Sequence, residues 1–340
     1  MSKTGVLRRW AYPATLVVVY TGWLAIMVVV DGWRLFAELW PISLTMTLGS
    51  FVAGATAEGG AAVAFPVFTK ALGIAPTDAR TFGLMIQAVG MTAAAVVIWA
   101  RRIPILPRVI WLVTGGGVIG QVLGSVWLVL PNPYPRLLFT FVAAAFGAAM
   151  ALSRWRLGWR PRRALDGWTP LRQAAFVAVG VAGGTFAAQT GSGIDMLTFI
   201  VLTLAFGIDE RVSTPTTVVI MALNSIVGFA LHGLVLREIG VAWSYWLVAV
   251  PIVVLGAPLG AAVASKLQRD HIIGGLLFLI LLEVVTTVWL VPVDLRQAII
   301  VAVAVALCAL WFRGLLRFRA ARVPEGPPIG HDAVPSKASG

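Results

Sequence analysis

Cysteine occurs once in the 340 residues, as Cys308, and histidine only three times. A disulfide framework is therefore excluded, and no Cys/His spacing offers a metal centre. Acids are scarce too: 14 Asp and Glu stand against 26 Lys and Arg, and charged residues total 12%. No Walker loop or dinucleotide fingerprint occurs in a suitable context, and GSGID (191–195) has no strand before it to make a nucleophile elbow. ATP-driven work, a cofactor and an enzymatic site are accordingly not expected. What is present is apolar: 59% of residues are hydrophobic and mean hydropathy is +0.91. A soluble domain of this length cannot hide so much apolar surface, so the chain reads as an all-α polytopic membrane protein. The net charge of +12 does not indicate nucleic acid, because the arginines cluster in short loops between apolar runs.

Full-length spans are expected near 14–30, 79–100, 109–130, 136–153, 213–235, 241–264, 272–291 and 296–313. Two further apolar regions, 41–72 and 174–206, are interrupted by AEGG and TGSGID. Basic clusters at 3–9, 101–108, 154–172 and 313–322 fall on one side only if each interrupted region enters and leaves by the same face. That arrangement puts 20 of the 26 Lys and Arg inside and 6 outside, with both termini cytoplasmic. It favours two re-entrant hairpins or two pairs of short helices, beside about eight spans. The expected units are 1–153, a basic cytoplasmic linker at 154–172, a second unit at 173–313, and a disordered cytoplasmic tail at 314–340.

The interruptions are related. Shifted by 134 residues, 49–74 lies over 183–208 with ten of 26 positions identical, among them Gly59/Gly193, Thr56/Thr190 and Gly73/Gly207. GQVLG (120–124) then matches GAPLG (256–260). This is an internal repeat, and the charge pattern makes the two copies inverted. Glycine-interrupted segments at matched positions of inverted repeats point to the central site of a secondary transporter. Unwound backbone is excluded from lipid by its unpaired polar groups, and half-helix N-termini suit an anion.

GTFAAQTGSGIDMLTFIVLTLAFGIDERVSTPTTVVIMALNSIVGFALHGLV, continuing into WLVAVPIVVLGAPLGAAVASKL, resembles the second half of the TauE/SafE family of sulfite and organosulfonate membrane transporters. The first repeat carries the same order more loosely, so the resemblance covers roughly 40–290. It implies a multi-pass protein of the cytoplasmic membrane that moves a sulfur-containing anion, driven by an ion gradient. The chain departs from the family's glycine runs with Glu58-Gly59-Gly60 and Ser192-Gly193-Ile194-Asp195.

Candidate substrate-binding residues are Thr56, Glu58, Gly59 and Gly60 at the first break and Gln189, Thr190, Ser192 and Gly193 at the second. Arg80, Gln87, Thr216 and Asn224 join them from the spanning helices. A guanidinium grips an oxyanion bidentately, so Arg80 is the expected counter-charge; its alternative is an interfacial pair with Asp78. Gln87 and Asn224 either contact substrate or hydrogen-bond between helices. Glu58 and Asp195 are the candidate proton carriers, and the competing role for each is to cap its own half-helix. A proton rather than sodium is the expected coupling ion. Glu283 requires a partner in a neighbouring helix or acts as a second proton site, and His232 is expected at the interface. Expected partners are a small anion, the coupling ion and lipid, with a homodimer allowed. The rivals are an anion channel built on re-entrant hairpins and an integral-membrane enzyme, for which no catalytic cluster is found.

Overall fold

The computed structural model describes residues 3–322 apart from 57–59, 156–161, 166, 265–268 and 292–293. Among them there is no strand, only thirteen α-helices: α1 (Lys3–Val29), α2 (Leu35–Glu38), α3 (Trp40–Ala55), α4 (Ala61–Pro66), α5 (Pro76–Ala100), α6 (Pro107–Val126), α7 (Tyr134–Trp155), α8 (Pro170–Thr190), α9 (Ile194–Ile200), α10 (Glu210–Ala230), α11 (Ala242–Ala264), α12 (Arg269–Leu290) and α13 (Leu295–Arg322). Proline opens α5, α6 and α8, where its missing N–H costs nothing and its fixed φ suits the first turn. The α4, α9 and α10 helices each run on into a π-helical turn, at Val67–Ala71, Val201–Ala205 and Leu231–Val235.

Seven helices are long and apolar enough to cross a bilayer: Arg8–Val29, Pro76–Ala100, Pro107–Val126, Pro170–Thr190, Glu210–Val235, Ala242–Val263 and Ile273–Leu290. An eighth arises if Gly32–Glu38 and Trp40–Ala55, bent by 81°, count as one span. The protein is thus a multi-pass, all-helical membrane protein. The expected runs at 136–153 and 296–313 lie within α7 and α13. The region at 174–206 is not halved by its glycines. Its first arm, α8, has 21 residues, about 31 Å, and the break comes at its far end. The α13 helix continues to Arg322, past the 314 boundary; 323–340 lie outside the described residues.

The second interrupted region returns to where it began. Arg162, in the segment leading into α8, donates its N–H to the Gly207 carbonyl (2.9 Å) and accepts from the Asp209 N–H (2.8 Å). Local geometry recurs at the 134-residue shift. Gly73 and Gly207 have φ of 66° and 65°. The Ile74 N–H meets the Phe68 carbonyl at 2.8 Å, and Ile208 meets Leu202 at 2.9 Å. Thr69 and Thr203 each return a hydroxyl to the carbonyl four residues back, Phe65 and Phe199.

Two seams hold the bundle. The α6 and α8 helices touch backbone to backbone: a Cβ on Gly120 would overlap the Val181 carbonyl, and one on Gly184 the Gly117 carbonyl. The α3 and α11 helices do the same through Gly54, against Ala257, and Gly260, against Phe51. Glycine is what permits such approach between membrane helices, where dispersion replaces the hydrophobic effect.

Helix α11 carries Pro251 and Pro258, which have no N–H to give to Leu247 and Val254 four residues earlier. Those carbonyls find donors on α1. Trp23 Nε1 donates to the Leu247 carbonyl at 2.7 Å, and the Tyr12 hydroxyl to that of Val254 at 3.2 Å. The Tyr20 hydroxyl adds a 2.7 Å bond to the Pro251 carbonyl. Trp23→Phe should therefore lower stability in detergent by about 1–3 kcal/mol, the cost of a stranded carbonyl. Adding Pro251→Ala, which restores the helix donor, should recover part of that loss; equal additive losses in a thermal double-mutant cycle would contradict it.

Candidate functional site

The second break is built on two glycines that no other residue replaces. Gly191 ends α8 with φ 80°, and a Cβ there would lie 2.6 Å from the Arg80 carbonyl. Gly193 has φ 122°, and a Cβ would run into the Phe186 ring. Left-handed backbone leaves carbonyls unpaired, and side chains cover them. Gln87 Nε2 donates to the Gly191 carbonyl at 2.8 Å. The Thr190 hydroxyl sits 2.7 Å from the Ser192 carbonyl and 3.2 Å from that of Phe186.

At the head of α9, Asp195 Oδ1 accepts from the Gly193 and Met196 N–H groups, both at 3.0 Å. The carboxylate thus occupies two amides at the start of α9, from a position one residue inside the helix whose N-cap is Gly193. Its second oxygen has no well-formed hydrogen bond and has the Ser192 hydroxyl as polar neighbour. Arg80 is buried, 6% exposed, and reaches the Ala188 carbonyl at 3.3 Å. It belongs to the break rather than to an exposed interface, with Glu238 and Asp78 the carboxylates acting on it. Arg80 Nε and Gln87 Oε1 make no hydrogen bond to a described residue. A bound water or ligand could satisfy both atoms.

Gln189 is fully engaged with backbone: Nε2 donates to the Gly124 and Leu128 carbonyls (2.8 and 2.6 Å), and Oε1 accepts from the Leu130 N–H (3.0 Å). It ties α8 to the end of α6. Thr216 lies on the α10–loop contact, donating to Val212 and accepting from the Leu106 N–H at 3.1 Å. Thr56 returns its hydroxyl to the Val52 carbonyl at 3.0 Å, matching Thr190. Glu58 and Gly59 lie outside the described residues.

Gly60 from the first break and Thr190 from the second line one enclosed cavity, together with Ser50, Gly83 and Gln87. Its volume of about 20 Å³ holds roughly one water molecule. An oxyanion of several heavy atoms does not fit in that volume. The model of the family described as "Sulfite exporter TauE/SafE" matches residues 42–288, a stretch that includes both breaks. The chain belongs to the TauE/SafE family. No curated protein and no solved structure matches it. The match is to a family of sulfite exporters, which places the chain among membrane transporters. The matched region holds nearly all of α3, all of α4 to α11 and nearly all of α12, and leaves α1, α2 and α13 outside.

Several polar residues within the TauE/SafE region escaped the sequence reading. Asn224 Nδ2 donates to Gln121 Oε1 (3.3 Å), Gln121 reaches the Ser125 hydroxyl (3.5 Å), and that hydroxyl lies 3.3 Å from His232 Nε2. His232, expected at the interface, is fully buried in the π-helical turn that ends α10. Lys70, counted among the outer loop charges, is buried on α4's π-helical turn. Its Nζ lies 2.6 Å from Glu283 Oε2, with the Thr286 and Thr287 hydroxyls at 3.1 and 2.7 Å. Thr140 on α7 donates to Glu283 Oε1. Glu283 thus has the partner its position demanded.

Glu283→Gln leaves the Lys70 ammonium buried without a counter-charge and should cost about 3–5 kcal/mol in a detergent unfolding assay. Lys70→Met with Glu283→Leu removes both charges and should restore most of that stability. A single variant as stable as the parent would mean that the pair is not held in the folded protein.

Proposed function

We propose that this chain is a secondary active transporter that carries a sulfur-containing anion, sulfite or an organosulfonate, across the cytoplasmic membrane, coupled to protons. The observation that carries the reading is the shared cavity: Gly60 and Thr190, from breaks 130 residues apart in sequence, meet around one small space (60 to 190). A cavity too small for the substrate suits a carrier that must rearrange to bind it better than an open channel.

The recurring geometry at a shift of 134 residues supports a pair of inverted repeats, one within 1–153, after its leading helix, and the other within 173–313. The seams agree with such an exchange. Gly124 packs on the Thr185 carbonyl and Gly260 on that of Phe51, and each member maps onto its counterpart in the other half. Rocking of one half against the other would open the cavity to either side. In this reading the substrate is held by Thr56, Glu58, Gly59 and Gly60 from one break and Thr190, Ser192 and Gly193 from the other. Arg80 supplies positive charge, and Gln87 an amide whose oxygen is free to reorient. Gln189, Thr216 and Asn224 set the walls. Glu58 and Asp195 carry the proton, the N- and C-termini face the cytoplasm, and the carrier works as a monomer or homodimer.

Asp195→Asn is the discriminating variant, because an amide keeps the Oδ1 acceptor for the N–H groups at the start of α9 and loses only the ability to ionise. In proteoliposomes, wild type should accumulate sulfite saturably along an imposed pH gradient. The variant should keep sulfite exchange while losing at least about tenfold of the pH-driven accumulation, as expected when a proton-transfer group is removed. Unchanged gradient-driven uptake by the variant would remove Asp195 from the coupling step. A wild type that moves neither sulfite nor a small alkylsulfonate would remove the substrate assignment.

A further inference from the structure

On the far side of α5 from the breaks, the ends of three helices bound an open groove of about 870 Å³. Arg8 and Arg9 enter it from α1 and Arg101 and Arg102 from the end of α5, while α11 contributes an apolar wall that includes Leu255 and Leu259. Those two leucines are 46% and 56% exposed. The Arg8 guanidinium stacks 5.1 Å over the Trp99 ring, and its Nε has no hydrogen-bond partner among the described residues. No described carboxylate forms an ion pair with any of the four arginines.

We propose that this groove binds an anionic phospholipid, its phosphate between the four guanidinium groups and an acyl chain along α11. A topology bias explains why arginines lie at these helix ends, but not why four of them converge on one concavity. Concentrated guanidinium fits a phosphate through paired N–H donors. The adjoining wall has no use for a free ion, because it offers methyl groups where an ion needs water or donors. A rim of positive charge continued by exposed leucines has the outline of a lipid lying beside the bundle.

The test is native mass spectrometry of the detergent-purified full chain titrated with phosphatidylglycerol, with phosphatidylcholine, and with phosphatidylglycerol in excess inorganic phosphate. Wild type should retain phosphatidylglycerol at least about tenfold more strongly than phosphatidylcholine, the scale set by several arginines at a lipid surface. Arg8→Gln/Arg101→Gln/Arg102→Gln should abolish the preference. Arg34→Gln/Arg237→Gln/Arg296→Gln, which removes the same charge from exposed positions elsewhere, should leave it intact. Leu255→Gln/Leu259→Gln should weaken lipid retention with all four arginines present. Equal retention of both lipids by wild type, or an unaltered preference in the groove variant, overturns the proposal. So does an equal loss in the control variant, which would reduce the effect to net charge. Displacement by inorganic phosphate alone would replace a lipid site with one for a free oxyanion.

Discussion

A peptide group that has lost its helical partner has no water to turn to inside a bilayer, and most of this molecule's specific chemistry answers that one demand. Glycines at 191 and 193 unwind the chain, and Gln87 and Thr190 then receive the carbonyls that unwinding exposes. Prolines at 251 and 258 withdraw two donors from α11, and an aromatic N–H and a phenol on α1 replace them. Asp195 does the same for two amides at the start of α9. Polar side chains in the interior are thus placed by the backbone's needs first, and any transport role is added to groups already committed to holding an interruption open.

That double duty shapes how the site can operate. A carboxylate that accepts from two amides prefers to stay ionised, whereas one buried in a low-dielectric interior prefers to be neutral. Asp195 is subject to both pulls at once. An anion approaching the break would have to compete with it for the same amides or draw on Arg80, whose own bond to the Ala188 carbonyl is long at 3.3 Å. The cavity between the breaks, at about 20 Å³, is too small for an oxyanion of several heavy atoms.

Much of this was legible in the residues. AEGG lies between α3 and α4, and TGSGID spans the junction of α8 and α9. The resemblance placed over roughly 40–290 agrees with the family match over 42–288. What could not be read were facts of register and distance. Lys70 stands near the end of an apolar run, where hydropathy cannot tell a loop charge from a buried one, and its partner lies 213 residues further on. Two lone opposite charges in apolar segments were the available signal. The length of α8 was missed because Arg172 and Gln173 drew its first turn into the basic linker. The π-helical turns after α4, α9 and α10 left no mark in composition, and one of them carries His232 inward from its expected place.

The stitching of α1 to α11 has a consequence for biogenesis. Tyr12, Tyr20 and Trp23 are synthesised early, yet their acceptors lie 242, 231 and 224 residues downstream. While the ribosome makes the helices between, the first segment has no route to those bonds. The contacts of α1 with α5 can form as soon as α5 is made, whereas these hydrogen bonds must wait for α11, so this edge of the bundle closes in two steps.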